Sequence, residues 1–143
     1  MSIQNSKARF DYEIIRVETT GIMLVGSEVK QLKMGKATLV DSFCYFNNSN
    51  ELYVKNFNIQ EVKTAFSHDP KREKKLLLKK SELKKLKRDL DKNLTIIPLK
   101  VYMNDKNNFF KMEIALCRGK KTYDKRDSIK KKDIERDLQR ENF

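Results

Sequence analysis

Between Ile97 and Leu116 the chain alternates apolar and polar residues twice. Ile97, Leu99, Val101 and Met103 lead into the turn-forming NDKNN, and Phe110, Met112, Ile114 and Leu116 lead out of it. A period of two sustained over that length predicts an antiparallel hairpin with one buried face. Lys111 and Glu113 then fall on the opposite face, toward solvent or a polyanionic partner. Pro98 has no N–H to give a ladder, so an edge or a bulge is expected beside it.

A second hairpin is predicted where Leu39–Phe46 and Leu52–Phe57 flank Asn47-Asn48-Ser49-Asn50. Phe10–Thr20, rich in aromatic and β-branched residues and stopped by Gly21, reads as a further strand. GSEVKQLKMG offers Ser27 as an N-cap, Val29 and Leu32 on one face and Gly35 as a stop, which predicts a short helix. Ser81 can cap another helix, in which Leu83, Leu86 and Leu90 form one narrow stripe and Lys80, Lys84, Lys87 and Arg88 face outward. About five strands with two peripheral helices point to a small, mainly β, OB-like antiparallel barrel.

The length of 143 residues suits one core plus an appendage. The formal charge is +12, and its placement says more than its size. Residues 1–70 carry eight basic and eight acidic side chains, whereas residues 71–92 are net +7 and residues 118–132 net +6. Cations gathered on two segments are what a phosphate-tracking surface needs, since each neutralised phosphate releases counterions. Lysine drift toward an AT-rich genome would spread the charge evenly. Residues 119–143 hold fifteen charged and five apolar side chains, too little apolar surface to offset the entropy of ordering, so a tail disordered in the free chain is expected. Ile134 and Leu138, four apart among good helix formers, allow that tail to fold as a helix on a partner. The expected domains are therefore a core over 1–118 and a tail over 119–143.

Catalysis has little to stand on. His68 and Asp69 are sequence neighbours, whose side chains usually diverge, and the four glycines are too scattered to cradle a phosphate. Cys44 and Cys117 lie in apolar runs, not at metal-ligand spacing, and read as buried thiols. A non-enzymatic protein without metal or cofactor is expected. The N-terminus lacks a signal-peptide pattern and no apolar run could span a bilayer, so no membrane association and a cytoplasmic location are expected.

Four basic blocks stand in order: NSKAR (Asn5–Arg9), EVKQLKMGKA (Glu28–Ala37), HDPKREKKLLL (His68–Leu78) and RGKKTYDKR (Arg118–Arg126). Together they resemble the small protein B family, the SsrA-binding proteins of bacterial trans-translation. The resemblance implies an OB-like barrel that binds the tRNA-like domain of tmRNA, and a tail that enters the empty mRNA channel of the stalled small subunit against rRNA. Elongation factor Tu would join indirectly, on aminoacylated tmRNA, and a monomer is expected. Carried over by residue, Asn5, Lys7, Arg9, Glu28, Lys30, Lys36, Leu77, Lys111 and Arg118 fall at RNA-binding positions. Gly119, Lys120, Lys121, Tyr123, Asp124, Lys125 and Arg126 fall in the ribosome-acting tail motif, where cations meet phosphate and Tyr123 can stack on a base. Glu28 has a second reading, as a carboxylate favouring a helix start. A ribosomal protein or general RNA chaperone, and an RNA-modifying enzyme, are the competing functions.

Overall fold

In the computed structural model, which describes residues 2–62, 67–90, 93–104, 106 and 109–119, both predicted hairpins form and belong to one closed sheet. The strands are β1 (Ser2–Gln4), β2 (Tyr12–Ile22), β3 (Ala37–Thr38), β4 (Phe43–Phe46), β5 (Leu52–Lys55), β6 (Asn58–Ile59), β7 (Lys74–Leu77), β8 (Leu94–Met103) and β9 (Phe110–Gly119). Three helices join them: α1 (Ser6–Asp11), α2 (Gly26–Lys33) and α3 (Lys80–Asp89). Six strands run β8-β4-β5-β7-β2-β9, and β9 returns to β8 to close the ring, every pairing antiparallel. This is the OB-like barrel expected from the sequence, with more elements: β1 extends β8, and β3 pairs with β6 apart from the ring.

The barrel interior is one apolar cluster that includes Leu52, Val54, Leu76, Ile96, Val101, Met112, Ile114 and Leu116. Leu32 of α2 and Leu86 of α3 are both buried in it, and Leu83 and Leu90 pack at its edge. The leucine stripe of α3 therefore docks, while Lys80, Lys84, Lys87 and Arg88 remain exposed.

The register along β8 corrects the simple alternation. A bulge between Pro98 and Lys100 shifts its pairing with β9, so side chains before and after it exchange faces. Val101 points into the barrel, but Ile97 and Leu99 point outward, where Ala8 of α1 covers them together with Ala115 and Cys117. Ile96 takes the inward place instead.

Three further expectations shift. The first long strand starts at Tyr12, because Phe10 is taken into α1. Ser27 lies inside α2, whose N-cap is Val25; its hydroxyl is instead hydrogen-bonded to His68 Nδ1 at 2.8 Å. Ser81 likewise lies inside α3 behind Lys79. Both helices start by the same device, a glutamate at the third position reaching back: Val25 N–H donates to Glu28 Oε1 (2.9 Å) and Lys79 N–H to Glu82 Oε2 (3.2 Å). Gly35 ends α2 with φ +71°, the left-handed stop expected of it.

Candidate nucleic-acid interface

The RNA-binding positions read from the sequence separate into two groups at opposite ends of β2 and β9. With about 3.4 Å of rise per residue, Tyr12 and Gly21 stand roughly 30 Å apart along β2. At the Tyr12 end sit Asn5, Lys7 and Arg9 of the α1 region, and Arg118, which pairs in register with Glu13. At the Gly21 end sit Glu28 and Lys30 on α2, Lys36 just after it, Leu77 on β7 and Lys111 on β9.

The second group is organised by Gly21. It is paired with Leu77 on one side and Lys111 on the other, so the three residues form a row across β7, β2 and β9 on the outer face. A Cβ on Gly21 would meet Leu77 Cβ at 3.2 Å, so the bare glycine lets the leucine side chain lie over the row. Leu77 stays 47 % exposed although its neighbour Leu76 is buried. Met23 and Phe109, 52 % and 67 % exposed, border the same groove of about 520 Å³. An apolar groove lined also by Lys111 offers stacking or packing surface beside a cation, a combination suited to unpaired nucleotides of folded RNA.

Lys30 and Lys36 are exposed, while Glu28 is completely buried. Arg72 grips its carboxylate with both arms, Nη2 to Oε1 at 2.5 Å and Nε to Oε2 at 3.3 Å, and Lys74 Nζ stands 3.6 Å from Oε2. Lys74 is itself fully buried, donating to the carbonyls of Phe57 (2.7 Å) and Arg72 (2.6 Å) and lying over the Phe57 ring. Glu28 therefore joins α2 to β7, and of its two sequence readings the helix-start one is realised in the hydrogen bond from Val25. Within the basic stretch 71–92, Lys74 is spent in this triad and cannot reach phosphate. Asn5 is also inward: its N–H donates to Leu99 O (2.8 Å) and its Nδ2 to Pro98 O (3.0 Å), bracing α1 on the β8 bulge. Lys7, Arg9 and Arg118 are exposed. Gly119 is the last residue of β9, whereas Lys120, Lys121, Tyr123, Asp124, Lys125 and Arg126, and the Ile134–Leu138 helix expectation, lie outside the described residues.

Among the described residues, two buried thiols and a buried amine titrate away from their free forms in the alkaline range. Burial and then the neighbouring Cys117 raise the Cys44 thiol, and burial pushes Cys117 from 9.0 up to about 11. Burial pushes Lys74 down from 10.5 to about 8, with Glu28 opposing it. An unfolded thiol ionises near pH 9 while the folded one keeps its proton, so the two cysteines make stability fall as pH rises from about 9. Lys74 has the opposite sign, because between about 8 and 10.5 the unfolded amine holds a proton that the folded one has lost. The two effects oppose each other between pH 8 and pH 10, so the Cys44→Ala, Cys117→Ala double variant should gain clearly more stability over that interval than the parent chain, read from urea midpoints at the two pH values.

Among the described residues there is no metal-binding cluster of His, Cys, Asp and Glu, and no helix is long and apolar enough to cross a membrane. His68 is used structurally, between Ser27 and the carbonyl of Ile59 (2.9 Å from Nε2).

The chain matches the family described as SmpB protein over residues 2–142. The chain belongs to the SmpB family. SsrA-binding proteins of Flavobacterium psychrophilum and Bacteroides thetaiotaomicron are 48 % and 46 % identical to it over 143 residues, covering 98 % of this chain and 94 % of each relative. A solved structure described as "tmRNA-SmpB: a journey to the center of the bacterial ribosome" matches with a TM-score of 0.70 at 40 % identity, over 85 % of each chain.

Three residues of this SmpB-family groove escape a reading of the basic motifs: Gly21, Met23 and Phe109. One signal was available. Phe109 and Phe110 are adjacent at the start of a strict alternation, so only one of them can face the core, and Phe110 is the buried one.

Proposed function

We propose that this chain is a non-enzymatic RNA-binding adaptor of the bacterial cytoplasm. It binds the tRNA-like domain of tmRNA and delivers it to stalled ribosomes for trans-translation, with its tail in the empty mRNA channel. The observation that carries this reading is the match over 85 % of the chain to a solved structure described as tmRNA-SmpB at the bacterial ribosome. The outer row Leu77–Gly21–Lys111, with Lys30 and Lys36 at its side, supplies the surface for the folded RNA. Leu77 acts by shape, Lys111 by phosphate neutralisation, and Glu28 positions α2 from beneath.

Equilibrium binding to tmRNA tests the assignment. Lys111→Ala should weaken it about tenfold and lower the salt slope by about one, as the loss of one phosphate contact does. Leu77→Ala should weaken it comparably with the slope unchanged. Bulk tRNA should compete poorly at moderate salt; equal competition would instead fit a general RNA chaperone.

A further inference from the structure

A groove of about 440 Å³ separates α3 from the turn between β4 and β5, and none of the RNA-binding positions lines it. Leu83, half-buried against the core, and the aliphatic stems of the lysines give it an apolar lining. Lys80, Lys84 and Lys87, at positions i, i+4 and i+7 of α3, set a row of ammonium groups about 10 Å long beside it. The opposite rim is a well-braced turn. Asn47 Oδ1 accepts from the Ser49 N–H (3.0 Å) and the Glu51 N–H (2.9 Å), and Asn50, at φ +61°, accepts Lys87 Nζ on its Oδ1. Glu51 also lines the groove, but Lys75 and Asn47 hold its carboxylate. Among the described residues no carboxylate stands within ion-pair distance of Lys80, Lys84 or Lys87. Nor, among those residues, does an aromatic ring line the groove, so a base has nothing to stack on. What it fits is an aliphatic side chain flanked by carboxylates.

The chain itself carries such a segment. Asp133, Asp137 and Glu141 recur every four residues, so on a helix they form one row about 12 Å long, with Ile134 and Leu138 immediately beside it. Residues 133–143 hold four acidic and two basic side chains, net −2 on a chain of +12. Alone, the segment has too little apolar surface to order, and the groove supplies the missing partner.

The segment also has the reach. α3 ends at Asp89, and Leu94 opens β8 in register with Arg118 of β9. The seven residues from Lys87 to Leu94 span at most about 25 Å and the strand pair adds about 5 Å, so the groove begins within about 30 Å of the point where the tail leaves the barrel. The fourteen residues from Gly119 to Asp133 extend to about 46 Å. A linker of that length keeps the segment at an effective concentration on the order of a millimolar, so a weak intrinsic affinity is enough to seat it.

We propose that in the chain free of the ribosome residues 133–143 dock in this groove as a helix. The Ile134–Leu138 pair meets Leu83, and the Asp133–Asp137–Glu141 row meets Lys80, Lys84 and Lys87. The contact is a parked state of the tail that covers the lysine row of α3. For its role it rests on the adaptor reading, since the dock must open before the tail can enter the mRNA channel.

Paramagnetic broadening in the full chain tests the dock. Gln139→Cys places a nitroxide on the side of the helix away from the acidic row, and the buried Cys44 and Cys117 leave the label to it. At about 50 mM salt the amide signals of Asn50, Leu83 and Lys84 should lose about half their intensity or more, and at about 500 mM, where the Debye length is about threefold shorter, they should recover it. Lys80→Glu with Lys84→Glu, both on exposed positions, should abolish the broadening. Adding Asp133→Lys with Asp137→Lys should restore it. Full intensity at the groove in low salt, or broadening that survives Lys80→Glu with Lys84→Glu, overturns the proposal. So does broadening that is as strong when nitroxide and isotope label sit on different chains, which would seat a second copy there. Equal affinity of the hexamer UUUUUU for these amides in the full chain and in Asp133→Asn, Asp137→Asn, Glu141→Gln would assign the lysine row to phosphate and overturn it too. No ribosome or tmRNA enters these measurements, so a missing dock and a tail without a part in tagging are told apart.

Discussion

Glu28→Ala is expected to destabilise the fold by about 3–5 kcal/mol, the usual consequence of leaving a buried charge without its counterion. Lys74 would remain fully buried beside Arg72, and the Val25 N–H at the start of α2 would lose its acceptor. Urea unfolding at pH 7 measures the loss. It should shrink toward pH 9, because Lys74 without Glu28 releases its proton more readily. The informative companion is Glu28→Leu with Lys74→Met, which removes both buried charges and keeps the volume; such replacements of a buried pair are often near neutral. Arg72 keeps its bonds to the carbonyls of Met23 and Glu73 and its access to water in that variant. If tmRNA affinity returns along with stability, Glu28 acts by holding α2 in place. If stability returns and affinity does not, the charges of the Glu28–Arg72–Lys74 triad serve RNA binding beyond holding α2 in place.

Ending the chain after Arg118 should abolish tagging on stalled ribosomes while tmRNA binding stays within a few-fold. The truncation removes one strand-end pair, Tyr12 with Gly119, and leaves the Leu77–Gly21–Lys111 row and every buried residue of the core in place. The nine basic and six acidic side chains removed carry net +3. A filter-binding titration across salt, run beside a tagging assay with stalled ribosomes, separates the two activities. A large loss of tmRNA affinity, with a shallower salt slope, would move the tail from the ribosome onto tmRNA.

What could be read from the residues followed the range of the interactions involved. Both hairpins were legible because alternation and turn chemistry are local, and the β8 bulge was flagged by Pro98, though not the exchange of faces that puts Ile97 and Leu99 under α1. α1 itself was invisible, since six residues make under two turns and carry no period. β7 was hidden for another reason. KKLL within a +7 stretch reads as solvated charge, and Lys74 turns inward only because Glu28, far earlier in the chain, waits there. The same long-range pairing kept the Glu28 reading open. Leu77 and Lys111 were recognised through the family motif, yet their adjacency through Gly21 needed three strands from distant parts of the chain. Ser27 and Ser81 show the limit of capping rules, since a glutamate at the third position started both helices without a hydroxyl cap.

The closed ring has a consequence for how the molecule comes into being. Its seam is made by β9, whose residues pair with partners as remote as Tyr12 with Gly119. During synthesis β2 and β8 each wait with an unpaired edge until β9 emerges, and contacts so distant in sequence make closure a late, slow step. A chain released before Phe110 has no seam and stays open to proteases. Only a chain read through β9 can close the barrel.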